Sequence, residues 1–285
     1  MRESIQRPRQ GINRNSSLKR LMRRVGLLER SRHQVSTADG IRISFELYRK
    51  GRGDAVLVIC PGFFQSKKTP TFQRLAGTLS VYCDVVCMDF RGHGGSSGRF
   101  SFSAYEQADL NAVLDWIGER YARVGLLGFS LGAATAINVA SRRKGIHSLV
   151  VVSAPAAFED IEFKFWTPEA IMTGIRGSEP GAGFRAGNPW GKKERPVDRI
   201  ISISPVPILL IHGTRDPIIL HRHSERLHRA AKEPKRLVLI EGGGHAEDLF
   251  RRYPKQFLSP IREWLRATLL GLRERDVQAK QKDNY

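Results

Sequence analysis

Val124-Gly125-Leu126-Leu127-Gly128-Phe129-Ser130-Leu131-Gly132-Ala133-Ala134-Thr135-Ala136 is the stretch that decides the fold. An apolar run reads as a buried strand, and small residues from Ala133 to Ala140 read as a helix. A serine stands at the apex of the tight turn between them. Such a strand-to-helix turn forces its apical residue into a strained conformation and lifts the hydroxyl clear of the sheet. Glycine two residues to either side lets the two elements approach closely enough.

The pattern Gly-x-Ser-x-Gly is weak alone: with 27 Gly and 21 Ser among 285 residues, roughly one such chain in five would carry it by chance. Gly94-Gly95-Ser96-Ser97-Gly98 matches it too, but lies in a polar loop followed by Arg99-Phe100-Ser101-Phe102 rather than by a compact helix. Context therefore assigns Ser130 as the nucleophile and Ser96 to a loop.

Outward from the turn, strand and helix signals alternate from about residue 32 to residue 270. This predicts an α/β fold with a mostly parallel eight-stranded sheet and helices on both faces. The strands read as 32–37, 41–48, 55–60, 85–88, 124–127, 148–152, 208–211 and 237–240, the first two forming a hairpin. Helices read as about 71–79, 105–121, 131–142 and 223–231, with one long closing helix at 246–270. Residues 155–204 break the alternation with Phe158, Phe163, Phe165, Trp166, Ile171, Met172, Ile175, Phe184 and Trp190 among Pro and Gly. So long an insertion between two strands predicts a small cap over the site. Residues 1–31 form a separate basic segment and 271–285 a charged tail.

Net charge is +19, and residues 1 to 35 carry ten Lys/Arg against two acids. Leu18, Leu21, Met22, Val25 and Leu28 recur at helical spacing among Lys19, Arg20, Arg23 and Arg24, a basic amphipathic pattern. It predicts either a helix packed on the body or a disordered basic tail, or else a peripheral contact of residues 1–30 with an anionic membrane or RNA. No helix-turn-helix, zinc-finger or RNA-recognition pattern supports specific nucleic-acid binding. Cys60, Cys83 and Cys87 are odd in number and lie in or beside strands, which predicts reduced, buried thiols in a cytoplasmic protein. The chain holds no signal-peptide core and no apolar run of about 18 residues.

A serine hydroxyl needs a base to take its proton, and that base needs an acid to fix its tautomer. His212-Gly213-Thr214-Arg215-Asp216 and Gly242-Gly243-Gly244-His245 each follow a predicted strand, which puts Asp216 and His245 at strand carboxyl ends beside Ser130. Asp89 is the alternative acid but falls outside the order Ser130, Asp216, His245. His93 and His212 are expected to support turns, and Asp248 to start or cap the last helix. His221, His223 and His228 lack an acidic cluster, so no metal site is expected.

That chain order, with Asp89-Phe90-Arg91-Gly92-His93-Gly94-Gly95-Ser96 after the fourth strand, resembles the α/β-hydrolase superfamily of serine hydrolases over residues 32–270. The group includes esterases, lysophospholipases and related peptidases. The resemblance implies an acyl-Ser130 intermediate, with Asp216 and His245 completing the triad and no metal or organic cofactor. It implies oxyanion donors at the N–H of Leu131 and in the loop Cys60-Pro61-Gly62-Phe63-Phe64, at Phe63 in preference to Phe64. The usual His-Gly is replaced there by Pro61-Gly62, and the Gly-Gly-Gly oxyanion motif of secreted-type lipases is absent.

Aromatic and aliphatic residues of the insertion suggest an apolar acyl substrate, with Phe64, Phe163, Trp166 and Met172 as candidate contacts. Carboxylesterase or lysophospholipase chemistry is the expectation, with a small aminopeptidase or an acyltransferase of the same fold as alternatives. A non-catalytic protein docking through its basic N-terminal helix is the rival from another class. A dehalogenase would carry Asp at position 130, and the 31 residues before the first strand leave no room for the propeller of larger peptidases.

Overall fold

The computed structural model describes residues 28–50, 53–161 and 179–271. Eight strands make one sheet: β1 (Glu29–Ser36), β2 (Arg42–Arg49), β3 (Ala55–Cys60), β4 (Asp84–Met88), β5 (Arg123–Phe129), β6 (Ile146–Val152), β7 (Ile208–Gly213) and β8 (Lys235–Ile240). Their order is β1-β2-β4-β3-β5-β6-β7-β8. β2 runs antiparallel to β1 and β4, and every other pairing is parallel. The β1–β2 hairpin therefore edges a parallel sheet of six strands.

Burial on both faces explains the unbroken apolar runs of the central strands. Along β3, Val56, Val58 and Cys60 face one side while Ala55, Leu57 and Ile59 face the other. On the first side, Leu110, Val113, Leu114 and Ile117 of α2 (Glu106–Gly118) pack with Ala133, Ala136, Ile137 and Ala140 of α3 (Leu131–Ala140). The second side is covered by α1 (Pro70–Leu79) through Phe72, Leu75 and Leu79, and by the C-terminal helices through Phe250, Phe257, Ile261 and Leu265. Two short elements remain on the first side: α4 (Pro196–Arg199), which runs into a 3-10 turn at Ile200–Ile203, and α5 (Arg222–Ala230).

Elements start and stop within a few residues of the sequence reading, with one correction. The long closing helix is two helices, α6 (Asp248–Arg252) and α7 (Pro254–Thr268). Pro254 disfavours the α-region at the residue before it, and Tyr253 sits at φ −124°, ψ 49°. Asp248 is the first residue of α6 and pairs with Arg252, as its position after His245 suggests. Cys60, Cys83 and Cys87 are free and buried, and burial pushes their thiols up, Cys83 to about 12. No helix among the described residues is long and apolar enough to cross a membrane.

Of the insertion, residues 155–161 and 179–204 are described. Residues 179–187 form a strap laced onto neighbouring loops by backbone hydrogen bonds. Gly183 N–H donates to Phe64 O, Arg185 N–H to Gly92 O, Phe100 N–H to Arg185 O and Gly187 N–H to Phe100 O, at 2.8–2.9 Å. Phe163, Trp166 and Met172 lie outside the described residues, as does most of the basic segment 1–31 and all but the first residue of the tail.

Candidate active site

Ser130 sits at the end of β5 with φ 51° and ψ −118°, a left-handed backbone that only a tightly constrained turn holds in a residue with a Cβ. The constraint is glycine packing. A Cβ on Gly128 would lie 2.4 Å from Ala133 Cα, and one on Gly132 would lie 2.2 Å from Pro61 O and 2.3 Å from Cys60 O. Ser130 N–H also donates to Val152 O at 2.8 Å, tying the turn to β6.

Asp216 and His245 come from the loops after β7 and β8. His245 Nε2 lies 3.0 Å from Ser130 Oγ, and His245 Nδ1 lies 2.7 Å from Asp216 Oδ2. Since a carboxylate only accepts, Nδ1 carries the ring proton and Nε2 turns its lone pair to the serine hydroxyl. Asp216 Oδ1 accepts the N–H groups of Ile218 and Ile219, each at 2.9 Å. Burial alone would raise the Asp216 carboxyl, but His245 and His212 hold it well below the usual carboxylate range. For His245, burial pulls the imidazole down, but the Asp216 carboxylate outweighs it and raises the pKa above the ordinary value. A raised pKa makes a stronger base toward Ser130.

Over residues 57–202 the sequence matches the family model described as Alpha/beta hydrolase family. The chain belongs to the alpha/beta hydrolase family. Rv2307c of Mycobacterium tuberculosis is 32% identical over 226 residues, covering 74% of this chain and 70% of that protein. YfhR of Escherichia coli is 32% identical over 175 residues, covering 60% of this chain but only 56% of its own length. Among solved structures, the Pyrococcus furiosus esterase Pf2001 superposes with a TM-score of 0.68 at 22% identity, over 85% of this chain and 94% of its own.

The other sequence candidates in this alpha/beta hydrolase fall into two groups. Ser96 is buried and fully engaged, its Oγ accepting Ser44 N–H at 2.8 Å and donating to Asp89 O at 2.7 Å. Asp89 is held by the Lys67 ammonium and by the N–H groups of Lys67 and Gly95, so its carboxylate belongs to the loops after β3 and β4 rather than to His245. Leu131 follows Ser130 in the chain, and Phe63 packs against the apolar cluster that holds Leu131. Gly62 is wedged against the elbow, where a Cβ would lie 3.2 Å from Ser130 Cβ and from Phe129 O. Leu131 opens α3, so its N–H has no partner within the helix. Phe63 packs on Phe100, Phe102 and Phe184 at ring-centroid distances of 5.4, 5.5 and 4.5 Å.

Three supports had no role in the sequence reading beyond turn formation, or none at all. Fully buried His212 offers Nε2 to Ile219 O at 2.7 Å and to Asp216 Oδ2 at 3.2 Å, while its Nδ1 meets Ser224 Oγ at 2.6 Å. Two acceptors at Nε2 place the proton there, so His212 donates into the very oxygen that orients His245. Ser153, at φ 49° after β6, accepts Ala246 N–H at 3.1 Å and so steadies the residue next to His245. Gln65 donates to Glu247, joining the loop after β3 to the His245 loop, and burial raises the Glu247 carboxyl. His212 carried a signal in its place directly after the apolar run of β7, whereas Ser153 and Gln65 carried none. Among the described residues no cluster of three metal-ligating side chains occurs.

Proposed function

We propose that this protein is a serine hydrolase that cleaves an ester or related acyl bond of a substrate with an apolar acyl group, through an acyl-Ser130 intermediate. The observation that carries this reading is the continuous hydrogen-bond line from Asp216 through His245 to Ser130. His245 Nε2 takes the Ser130 proton as Oγ attacks the carbonyl carbon, then returns it to the leaving oxygen, and Asp216 stabilises the imidazolium between the two steps. The Leu131 N–H, at the positive end of α3, and the Phe63 N–H receive the developing oxyanion. A carboxylesterase or lysophospholipase-like enzyme is favoured by the phenylalanines around Leu131, with Phe64 on the substrate side and residues 155–204 acting as a cap. Water then attacks the acyl-Ser130 carbonyl as His245 Nε2 takes its proton, and that proton returns to Ser130 Oγ as the acid product leaves, so the cycle calls on no cofactor.

The test is labelling of the purified protein with a fluorophosphonate probe, beside Ser130→Ala and Ser96→Ala, followed by p-nitrophenyl esters of increasing chain length. Ser130→Ala is expected to lose labelling and at least 10³-fold in kcat with its fold intact. Ser96→Ala is expected to keep both and to lose about 1–2 kcal/mol of stability, since Ser44 N–H and Asp89 O are left unpaired. Labelling that survives in Ser130→Ala overturns the assignment of the nucleophile, and labelling that never occurs in the wild type sinks the reading in favour of a non-catalytic docking protein.

A further inference from the structure

His93 lies in the loop after β4, outside the candidate triad, yet its ring is wired into the loop that meets Ser130. Its Nδ1 lies 3.1 Å from Arg91 O, which can only accept, so that nitrogen carries the proton. Its Nε2 lone pair then receives Phe64 N–H at 3.2 Å. Phe100 stands edge-on at 4.7 Å and Phe184 stacks at 6.1 Å, which fixes the ring plane. The ring is 2% exposed, and burial pulls its pKa to about 4, so it stays a neutral acceptor at physiological pH.

The consequence falls on the peptide between Phe63 and Phe64. Phe64 adopts φ 70°, a left-handed conformation, and is pinned at both ends, by His93 at its N–H and by the strap's Gly183 N–H at its carbonyl. With Gly62 against the elbow, the Phe63 unit is bracketed between two fixed points. An amide already given to His93 cannot also serve an oxyanion. We propose that His93 is a positioning residue that takes up the Phe64 N–H and thereby selects Phe63 as the second oxyanion donor. The inference rests on the acyl-transfer reading above.

The experiment has a spectroscopic and a kinetic arm. Long-range ¹⁵N–¹H correlation of the His93 ring at pH 7 is expected to show the Nδ1–H tautomer, and an Nε2–H tautomer or a charged ring overturns the proposal. For kinetics, His93→Phe keeps an aromatic ring without an acceptor, and His93→Gln restores an acceptor. His93→Phe is expected to lower kcat for p-nitrophenyl butyrate about 10²-fold with KM within about twofold, the scale of losing or displacing one oxyanion donor. A trifluoromethyl ketone, whose hemiketal oxyanion uses the same donors, is expected to bind weaker by a similar factor. His93→Gln is expected to recover at least tenfold of the lost kcat. Full kcat in a folded His93→Phe, or a loss that His93→Gln fails to recover at equal thermal stability, overturns it. If His93→Phe does not fold, the tautomer and the His93→Gln kinetics still decide. Wild type that is not labelled at Ser130 condemns the acyl-transfer reading itself, whichever tautomer His93 shows.

Discussion

His245 can accept the Ser130 proton only when it is neutral, and Asp216 raises its pKa by favouring the charged ring. Activity is therefore lost as pH falls through that raised value, so the acid limb of kcat/KM is expected above the roughly 6.5 of an ordinary histidine. His212 tempers the effect by donating into the same Asp216 oxygen. Replacing it by leucine leaves Asp216 Oδ2 to His245 alone, and loss of a long contact that His212 shares with Ile219 O, worth about 1 kcal/mol, corresponds to at most about 0.7 pH unit. The acid limb of His212→Leu is expected to move upward by roughly half a unit, while His212→Asn, which can still donate, stays near wild type. A pH–rate profile of the three proteins checks this, and an unshifted limb in His212→Leu would reduce His212 to packing and to its bonds with Ser224 and Ile219.

The elbow depends on how closely α3 approaches β3. Gly132→Ala places a methyl about two ångströms from two backbone oxygens that cannot move aside, so α3 must lift and take Ser130 and the Leu131 N–H with it. Overpacking of this kind costs about 1–3 kcal/mol. Gly77 in α1 is the control, since a Cβ there meets nothing within 4 Å and its φ is ordinary. Gly77→Ala is expected to raise stability by about 0.5–1 kcal/mol at unchanged kcat, and Gly132→Ala to lower both stability and kcat in denaturation and ester assays. Equal behaviour of the two variants would mean the close approach is not what holds the nucleophile. Elements this dependent on local chemistry were legible in sequence: buried strands announce themselves as apolar runs, and Gly128 and Gly132 mark the turn. The strap at 179–187 was not legible as a strap, because many of the bonds that hold it end on backbone atoms of loops distant in sequence, including those from Arg185 to Ser96 O and Gly98 O, and leave no pattern in the chain. Pro254 did carry a signal, and a continuous helix through it was the wrong expectation.

Across the whole molecule, Ser130, Asp216 and His245 could be placed together from sequence because a parallel sheet brings the carboxyl ends of β5, β7 and β8 to one edge. Phe63 was favoured over Phe64 there by resemblance alone, since the physical choice turns on the orientation of one peptide. Charge is the remaining whole-chain feature. Residues 1–27 carry eight Lys/Arg against one Glu, part of a net charge of +19, and their apolar residues recur at helical spacing. We propose that this segment holds the enzyme to an anionic surface without taking part in the chemistry. Each basic residue near an anionic membrane contributes about 1 kcal/mol at physiological salt and loses it within a Debye length. A chain beginning at Leu28 is therefore expected to hydrolyse a soluble ester within about twofold of the full chain. It is expected to bind phosphatidylserine vesicles at least tenfold more weakly at low salt, because the remaining charge is spread over the body instead of gathered on one basic amphipathic stretch. Raising the salt to about 1 M is expected to abolish most of the difference. Vesicle co-sedimentation at both salts separates the cases: binding that truncation leaves unchanged removes the membrane reading, whereas binding that truncation weakens equally at both salts would assign the contact to the apolar face rather than to charge.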